Sequence, residues 1–226
     1  MHTTIAAHHR RGDVREFCDD GEVNVDDDLP YPPRRIAVAG VSGVGKTTTA
    51  RRIATIVDVP HVEIDALHHG PDWTRRPEFL DDVQTFIDNV AWVTEWQYRD
   101  ARPLIAANAD ILVWLDLPYW TTTFPRVVRR TIRRRVRREV LWHGNIEPPM
   151  RTILTDPEHI IRWSVSHRHA YTESVPRLGE THPGPPVARL RSQAEVDAWL
   201  AGLSPGPSGA DSATRVPAVR RADGPG

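Results

Sequence analysis

The sequence predicts an α/β protein, a three-layer α/β/α sandwich around a mostly five-stranded parallel sheet. Three observations carry that expectation. Short apolar runs alternate along the chain with segments of helical periodicity, the order that builds parallel βαβ units. One of these runs, Ile111-Leu112-Val113-Trp114-Leu115, is apolar throughout, as a strand is when helices cover both faces of its sheet. A glycine-rich stretch at residues 40–47 also stands between an apolar run and a helical one.

Residues 1–33 are expected to lie outside the domain as a disordered tail. They mix early His and Arg with an acidic run (Asp19, Asp20, Glu22, Asp26, Asp27, Asp28) and end in Leu29-Pro30-Tyr31-Pro32-Pro33. So few apolar groups cannot offset the entropy of ordering. The Pro/Gly-rich residues 204–226 read the same way, which leaves one domain over 34–203 without an internal repeat. Within it Arg35–Ala39 predicts the first strand, Lys46–Val57 a helix and residues 61–64 the second strand. Residues 78–90 place Phe79, Leu80, Val83, Phe86, Ile87 and Val90 on one helical stripe. Residues 92–94 predict the third strand, 99–107 a short helix and Ile111–Leu115 the fourth strand. A long Arg-rich helix follows over 121–140 and another over 157–175, then a strand at Val187–Leu190 and a helix at 193–200.

Composition narrows the function classes. The hydrophobic share of 39% fits a packed domain carrying unpacked ends. A formal net charge of -1 gives the whole molecule no electrostatic claim on nucleic acid or membranes. The single cysteine, Cys18, excludes an intramolecular disulfide framework and fits a reducing compartment. No apolar run of about 18 residues is present to span a membrane, and the first residues lack the apolar core of a secretion signal. A cytoplasmic location is the expectation. Of the 29 Lys and Arg residues, Lys46 is the only lysine. It sits inside the glycine-rich stretch, where a compact ammonium on a flexible stem suits a phosphate cradle.

That stretch, Gly40-Val41-Ser42-Gly43-Val44-Gly45-Lys46-Thr47, matches G-x-x-x-x-G-K-[ST] in full, with a strand before it and a helix after it. Glycines at 40, 43 and 45 let the backbone turn so that successive N–H groups face phosphate oxygens. The following helix aims its positive N-terminal end at the same anion. On this reading Gly40, Ser42, Gly43, Val44, Gly45, Lys46, Thr47 and Thr48 bind a nucleotide, ATP or GTP. Lys46 reaches the β- and γ-phosphates, and the Thr47 hydroxyl holds Mg²⁺.

With this loop and its flanking elements the chain resembles the small-molecule and nucleotide kinases of the adenylate-kinase-like P-loop group. Within that group it is similar to the small kinase-like proteins called FlaR-like ("DNA topology modulation") proteins or AAA family ATPases. The resemblance spans most of residues 34–203 and is most specific at the phosphate loop. It implies a P-loop NTPase fold with a mobile, short Arg-rich lid, and transfer of the γ-phosphoryl group of Mg-ATP to a small-molecule acceptor. By position it implies a carboxylate facing acceptor or metal at Asp65, with His68 and Trp73 among the residues lining the acceptor pocket. It implies an acidic residue near Mg²⁺ and the γ-phosphate at Glu95, where Trp96 stands in place of the family's glycine. Arg126 and Arg130 match the lid arginines that clamp the transferring phosphoryl group, and Arg191 the position that passes the adenine ring.

The residues carry readings of their own. A carboxylate such as Asp65 at a strand's C-terminal end opens into the crevice where α/β proteins bind ligands. There it orients an acceptor hydroxyl or takes its proton, although capping a turn is the other reading open to it. His68-His69 lack metal-ligand spacing, and no cysteine supports a zinc site. Asp116 is expected to cap the turn after the fourth strand, leaving the metal-side role to Glu95. Trp96 and Tyr98 offer walls, and Arg75 and Arg76 positive charge, to a ring-bearing or anionic acceptor. Eight arginines fall between Arg126 and Arg138. Arg126, Arg130, Arg133 and Arg137 share a helical face, and guanidinium forks neutralise phosphoryl oxygens. The loop from Trp142 to Pro149 suits a lid tip. Two other readings stay open: a nucleic-acid surface on the Arg helix with ATP as its switch, and a nucleotide binder without turnover.

Overall fold

Parallel pairing of every strand gives the molecule its plan. The structure, a computed structural model, describes residues 22–23, 32–179 and 184–203. Its strands are β1 (Glu22–Val23), β2 (Arg35–Ala39), β3 (His61–Val62), β4 (Trp92–Glu95), β5 (Ile111–Leu115) and β6 (Val187–Leu190). They form one sheet in the order β1-β6-β5-β2-β4-β3, so the expected five strands are joined by a two-residue edge strand. That edge strand, β1, falls within the stretch expected to lie outside the domain and pairs with Val187 and Ala188. The remainder of residues 1–31 and residues 204–226 lie outside the described residues.

The helices are α1 (Lys46–Val57), α2 (Ile64–His68), α3 (Phe79–Ile87), α4 (Arg102–Asn108), α5 (Phe124–Val136), α6 (Ile160–Ser166), α7 (Ala170–Ser174) and α8 (Gln193–Gly202). They cover both faces of the sheet, the arrangement that parallel strands require. Along β2 the side chains alternate. Ile36 and Val38 join the core under α1 and α8, whereas Ala37 and Ala39 join the core under α3, α4 and α7. β5 is buried at every position. The strand bearing the phosphate loop is thus the centre of the sheet, flanked directly by β4 and β5. No helix among the described residues is long and apolar enough to cross a membrane.

The helical stripe expected over 78–90 ends at Ile87 and leaves Val90 76% exposed, and four further boundaries differ from the sequence expectation, each for a local reason. The second strand stops at Val62 because the Ile64 amide donates to the Glu95 carboxylate, 3.2 Å away, and opens α2 rather than extending a ladder. Asp65 therefore sits in the first turn of a helix, not at a strand end. The helix expected from residue 99 begins at Arg102, with Pro103 in its first turn, where its missing N–H leaves no bond unmade. The Arg-rich helix starts at Phe124 after a π-turn over Tyr119–Thr123 and ends at Val136, ahead of Arg138 with its positive φ of 48°. The helix expected over 157–175 divides into α6 and α7. Ser166 bonds back through its hydroxyl to Arg162 and Trp163 carbonyls at the break, a competition that interrupts helices.

Candidate active site

Backbone geometry shapes the phosphate loop. Gly40 holds a φ of 143° and Gly43 one of 81°, a region that other residues enter only with strain. Space forbids a side chain as well. A Cβ at Gly40 would lie 2.8 Å from the Leu115 carbonyl oxygen, and one at Gly43 would lie 2.2 Å from Val127 Cγ2 on α5. Gly45 leads into α1, whose first turn has no side-chain cap and no acidic residue. The positive end of that helix is left for an anion. Lys46 Nζ lies 3.3 Å from the Val41 carbonyl at the mouth of the loop. Burial lowers its pKa from 10.5 to about 8. Asp65 and Glu95 oppose that shift, while Arg130 and Arg102 reinforce it. These five groups thus share one electrostatic neighbourhood.

Glu95 ends β4 opposite Val38 of β2 and is only 1% exposed. Burial alone would raise its pKa. Hydrogen bonds from His61 (3.3 Å), the Ile64 amide and the Thr47 hydroxyl more than offset this and hold it below the usual carboxylate range. An ionised carboxylate beside the Thr47 hydroxyl is a pair of hard oxygen donors. The described residues contain no group of three or more His, Cys, Asp or Glu able to hold a metal by themselves. This donor set fits Mg²⁺, which keeps several waters and shares phosphate oxygens instead of filling an all-protein cage.

Across the cleft, Asp65 Oδ1 accepts hydrogen bonds from Gln97 Nε2 and from the Tyr98 hydroxyl (2.6 Å). Among the described residues no bond reaches its other oxygen. Tyr98 OH also lies 3.1 Å from His69 Nε2, and burial together with Asp65 pushes the phenol pKa up, so it stays a donor. The expectation for His68 is corrected. Its ring stacks behind Tyr98 (3.7 Å between centroids, 7° between planes) and against Phe79, while His69, not His68, lines the cleft. Burial lowers the pKa of His68 to about 4, so it packs as a neutral ring. Trp73, Trp96 and Tyr98 line the cleft. Arg75 and Arg76 do not; they pair with Asp100 and Asp82, each at 2.9 Å.

From the other side, α5 turns two arginines onto the loop. Arg126 donates to the Val44 carbonyl (3.2 Å) and to Gln193 (3.1 Å), and Arg130 donates to the Ser42 hydroxyl (3.3 Å). One helical turn apart, they reach the same anion cradle. Burial and neighbouring Arg134 lower the pKa of Arg130. Arg134 and Arg135 are occupied elsewhere, bonded to Glu147 at 3.3 and 3.2 Å. Asp116 caps no turn; it holds the Arg189 guanidinium at 2.6 Å. Arg191 is exposed, with its amide bonded to Glu195 (2.8 Å), and it is not among the residues that line the cleft; Gln193 is.

The cleft encloses about 2070 Å³ and runs from the phosphate loop to Trp73 and Trp142. Within it stands a cation absent from the sequence reading. The Arg102 guanidinium lies 4.8 Å from the ring centre of Trp96 and 4.5 Å from that of Tyr171, and among the described residues its buried Nε has no partner. Trp96, 3% exposed, is braced for this role. Its indole N–H donates to the Arg102 carbonyl (2.9 Å), and its own carbonyl accepts from Tyr171 (3.1 Å). The available cue was Pro103, which marks a helix start and so sets Arg102 in the first turn beyond β4.

No protein-family model and no curated protein sequence matches the chain. Among solved structures it is similar to a gluconokinase from Sinorhizobium meliloti 1021 at 19% identity, with a TM-score of 0.43, covering 76% of this chain and 93% of that one. It is similar to a sugar kinase from Janibacter sp. HTCC2649 at 17% identity and a TM-score of 0.42, covering 75% and 91%. A shikimate kinase from Bacteroides thetaiotaomicron shares 10% identity, with a TM-score of 0.45 and coverage of 75% and 95%.

Proposed function

We propose that the chain is a Mg-ATP-dependent phosphotransferase whose acceptor is a small molecule bearing a hydroxyl nucleophile and an anionic group. One observation carries this reading: Lys46, Arg126 and Arg130 at the phosphate loop face Asp65, with one unbonded carboxylate oxygen, across a single cleft. A purely structural arrangement would pair the carboxylate with the cations. Here, among the described residues, no ion pair joins them although all four line one cleft.

The loop amides and Lys46 would hold the β- and γ-phosphates. Thr47 and Glu95 would hold Mg²⁺, which neutralises charge on the phosphate oxygens when bound. The free oxygen of Asp65 would align the acceptor hydroxyl and take its proton as the hydroxyl oxygen bonds to the γ-phosphorus and ADP leaves with the electron pair of the broken β–γ bridge bond. Arg126 and Arg130 would carry the charge that collects on the moving phosphoryl oxygens, where positioning and electrostatics supply most of the rate. Arg102, held between two aromatic faces and without a carboxylate partner among the described residues, would seat the acceptor's own anionic group.

The test is ADP release from Mg-ATP with pools of nucleosides, nucleoside monophosphates and hydroxy acids, and with Lys46→Ala as control. A rise with one pool, abolished in the control, supports the reading. A flat response in a chain that binds ATP sinks it. One observation favours a second reading, a nucleic-acid surface switched by ATP: Arg129, Arg133, Arg137 and Arg138 are exposed along α5 and just beyond its end.

A further inference from the structure

The lid tip is a tight hairpin. Val140 and Ile146 form an antiparallel bridge, the Leu141 amide donates to the Asn145 carbonyl (2.7 Å), and His143 and Gly144 turn the chain at φ of 54° and 81°. From this hairpin the Asn145 side chain, 6% exposed, reaches the loop that follows α2. Its Nδ2 donates to the Gly70 carbonyl (2.8 Å), and its Oδ1 accepts from the Trp73 amide (3.2 Å). Both halves of one amide are thus satisfied by the backbone of the facing loop. Beside it Trp142 stacks on His69 (5.7 Å, 24°) and meets Trp73 edge-on (6.3 Å, 79°). Among the described residues no other side-chain hydrogen bond joins these two loops.

His69, Trp73 and Trp142 all line the cleft on the Asp65 side. Whatever ties the two loops together therefore closes the acceptor end and leaves the phosphate loop untouched. We propose that Asn145 is a specificity-determining latch, which roofs the acceptor chamber with Trp73 and Trp142 and restricts phosphoryl transfer to small acceptors over water. This rests on the phosphotransferase reading above. Exclusion of water is needed because an open chamber admits a competing nucleophile. In hydrolysis the water oxygen bonds to the γ-phosphorus while the bond to the β–γ bridging oxygen breaks. ADP leaves with that electron pair, and the water proton passes to the Asp65 carboxylate and on to solvent. Asn145 itself touches no reacting atom; it is a positioning residue.

The experiment measures acceptor-free ADP release from Mg-ATP in the full chain and in Asn145→Ala, Asn145→Asp and Trp142→Ala, with Lys46→Ala as background. Affinity for a fluorescent ATP analogue and hydrogen exchange at the Trp73 amide are recorded alongside. Opening the latch should raise Lys46-dependent ADP release about tenfold, as expected when two buried hydrogen bonds are lost. Nucleotide affinity should stay within about twofold and Trp73 exchange should quicken. Asn145→Asp should act more strongly than Asn145→Ala, because it sets a carboxylate against the Gly70 carbonyl. A merely destabilised enzyme would lose turnover and affinity together, and that result overturns the proposal. So does unchanged ADP release with faster Trp73 exchange, or unchanged exchange. Absence of Lys46-dependent release from every chain, wild type included, overturns instead the phosphotransferase reading on which the latch depends.

Discussion

Lys46 titrates within ordinary working pH. Its charged form is disfavoured by burial, which brings the pKa to about 8. Phosphate binding selects the protonated ammonium, so nucleotide affinity should be full below about pH 8 and fall above it, by about tenfold per pH unit for one linked proton. The stability sign is opposite. Between about 8 and the unfolded value of 10.5 the unfolded chain holds the extra proton, so this lysine's contribution to stability improves as pH rises. Titration of a fluorescent ATP analogue from about pH 6.5 to 9.5 checks the first point, and Lys46→Arg should flatten the profile because guanidinium keeps its charge. A wild-type curve with no break near pH 8 would remove Lys46 from the phosphate. Arg126 and Arg130 contact the loop through Val44 and Ser42, so their role is read in turnover. Alanine at either should lower kcat about a hundredfold or more while leaving ATP affinity within a few fold. Lysine should recover little of it, because the planar fork is gone. Unaltered kcat in both alanine variants would refute the clamp.

At the level of elements, the loop and α5 are fitted to each other at Gly43. A methyl there meets Val127 Cγ2 at 2.2 Å and also inherits a φ of 81°, two separable penalties. Gly43→Ala should cost about 1–3 kcal/mol in denaturant unfolding. Adding Val127→Ala should return the steric part and leave the backbone part; no coupling between the two substitutions would show that the loop and α5 do not brace each other. The same contrast between local and distant contacts explains how much the sequence made legible. β2 and β5 were readable because helices bury both faces of their strands, so the apolar run declares itself. The phosphate loop was readable because its spacing is local, whereas Arg126 and Arg130 were singled out among the eight arginines by the family resemblance. The end of β3 was not, since the bond that stops it joins Ile64 to Glu95, 31 positions away. Asn145 meets Gly70 and Trp73 at separations of 75 and 72, beyond any periodic pattern. Arg102 was hidden differently: charge at a helix start reads as solvent-facing until Trp96 and Tyr171 are seen around it.

For the whole molecule, near-neutral charge conceals a division. Residues 1–31 carry eight carboxylates against three arginines, so the rest of the chain is net cationic, with arginines exposed along α5. Structurally this acidic segment is joined to the described sheet by the two-residue pairing of β1 with β6. Deleting residues 1–31 should therefore shift the melting temperature by only a few degrees, and a loss of cooperative melting would show that the segment is integral to the core. Its electrostatic effect should be larger. A fluorescent single-stranded oligonucleotide should bind the full chain no more tightly than about 10⁻⁴ M at physiological salt, and the truncated chain more tightly, with affinity falling steeply as salt rises. Such behaviour marks the arginine face as a general polyanion surface held in balance by the N-terminal carboxylates. A full chain that instead binds the oligonucleotide in the micromolar range, and releases it on adding ATP, would transfer the role of α5 from phosphoryl clamp to nucleic-acid switch.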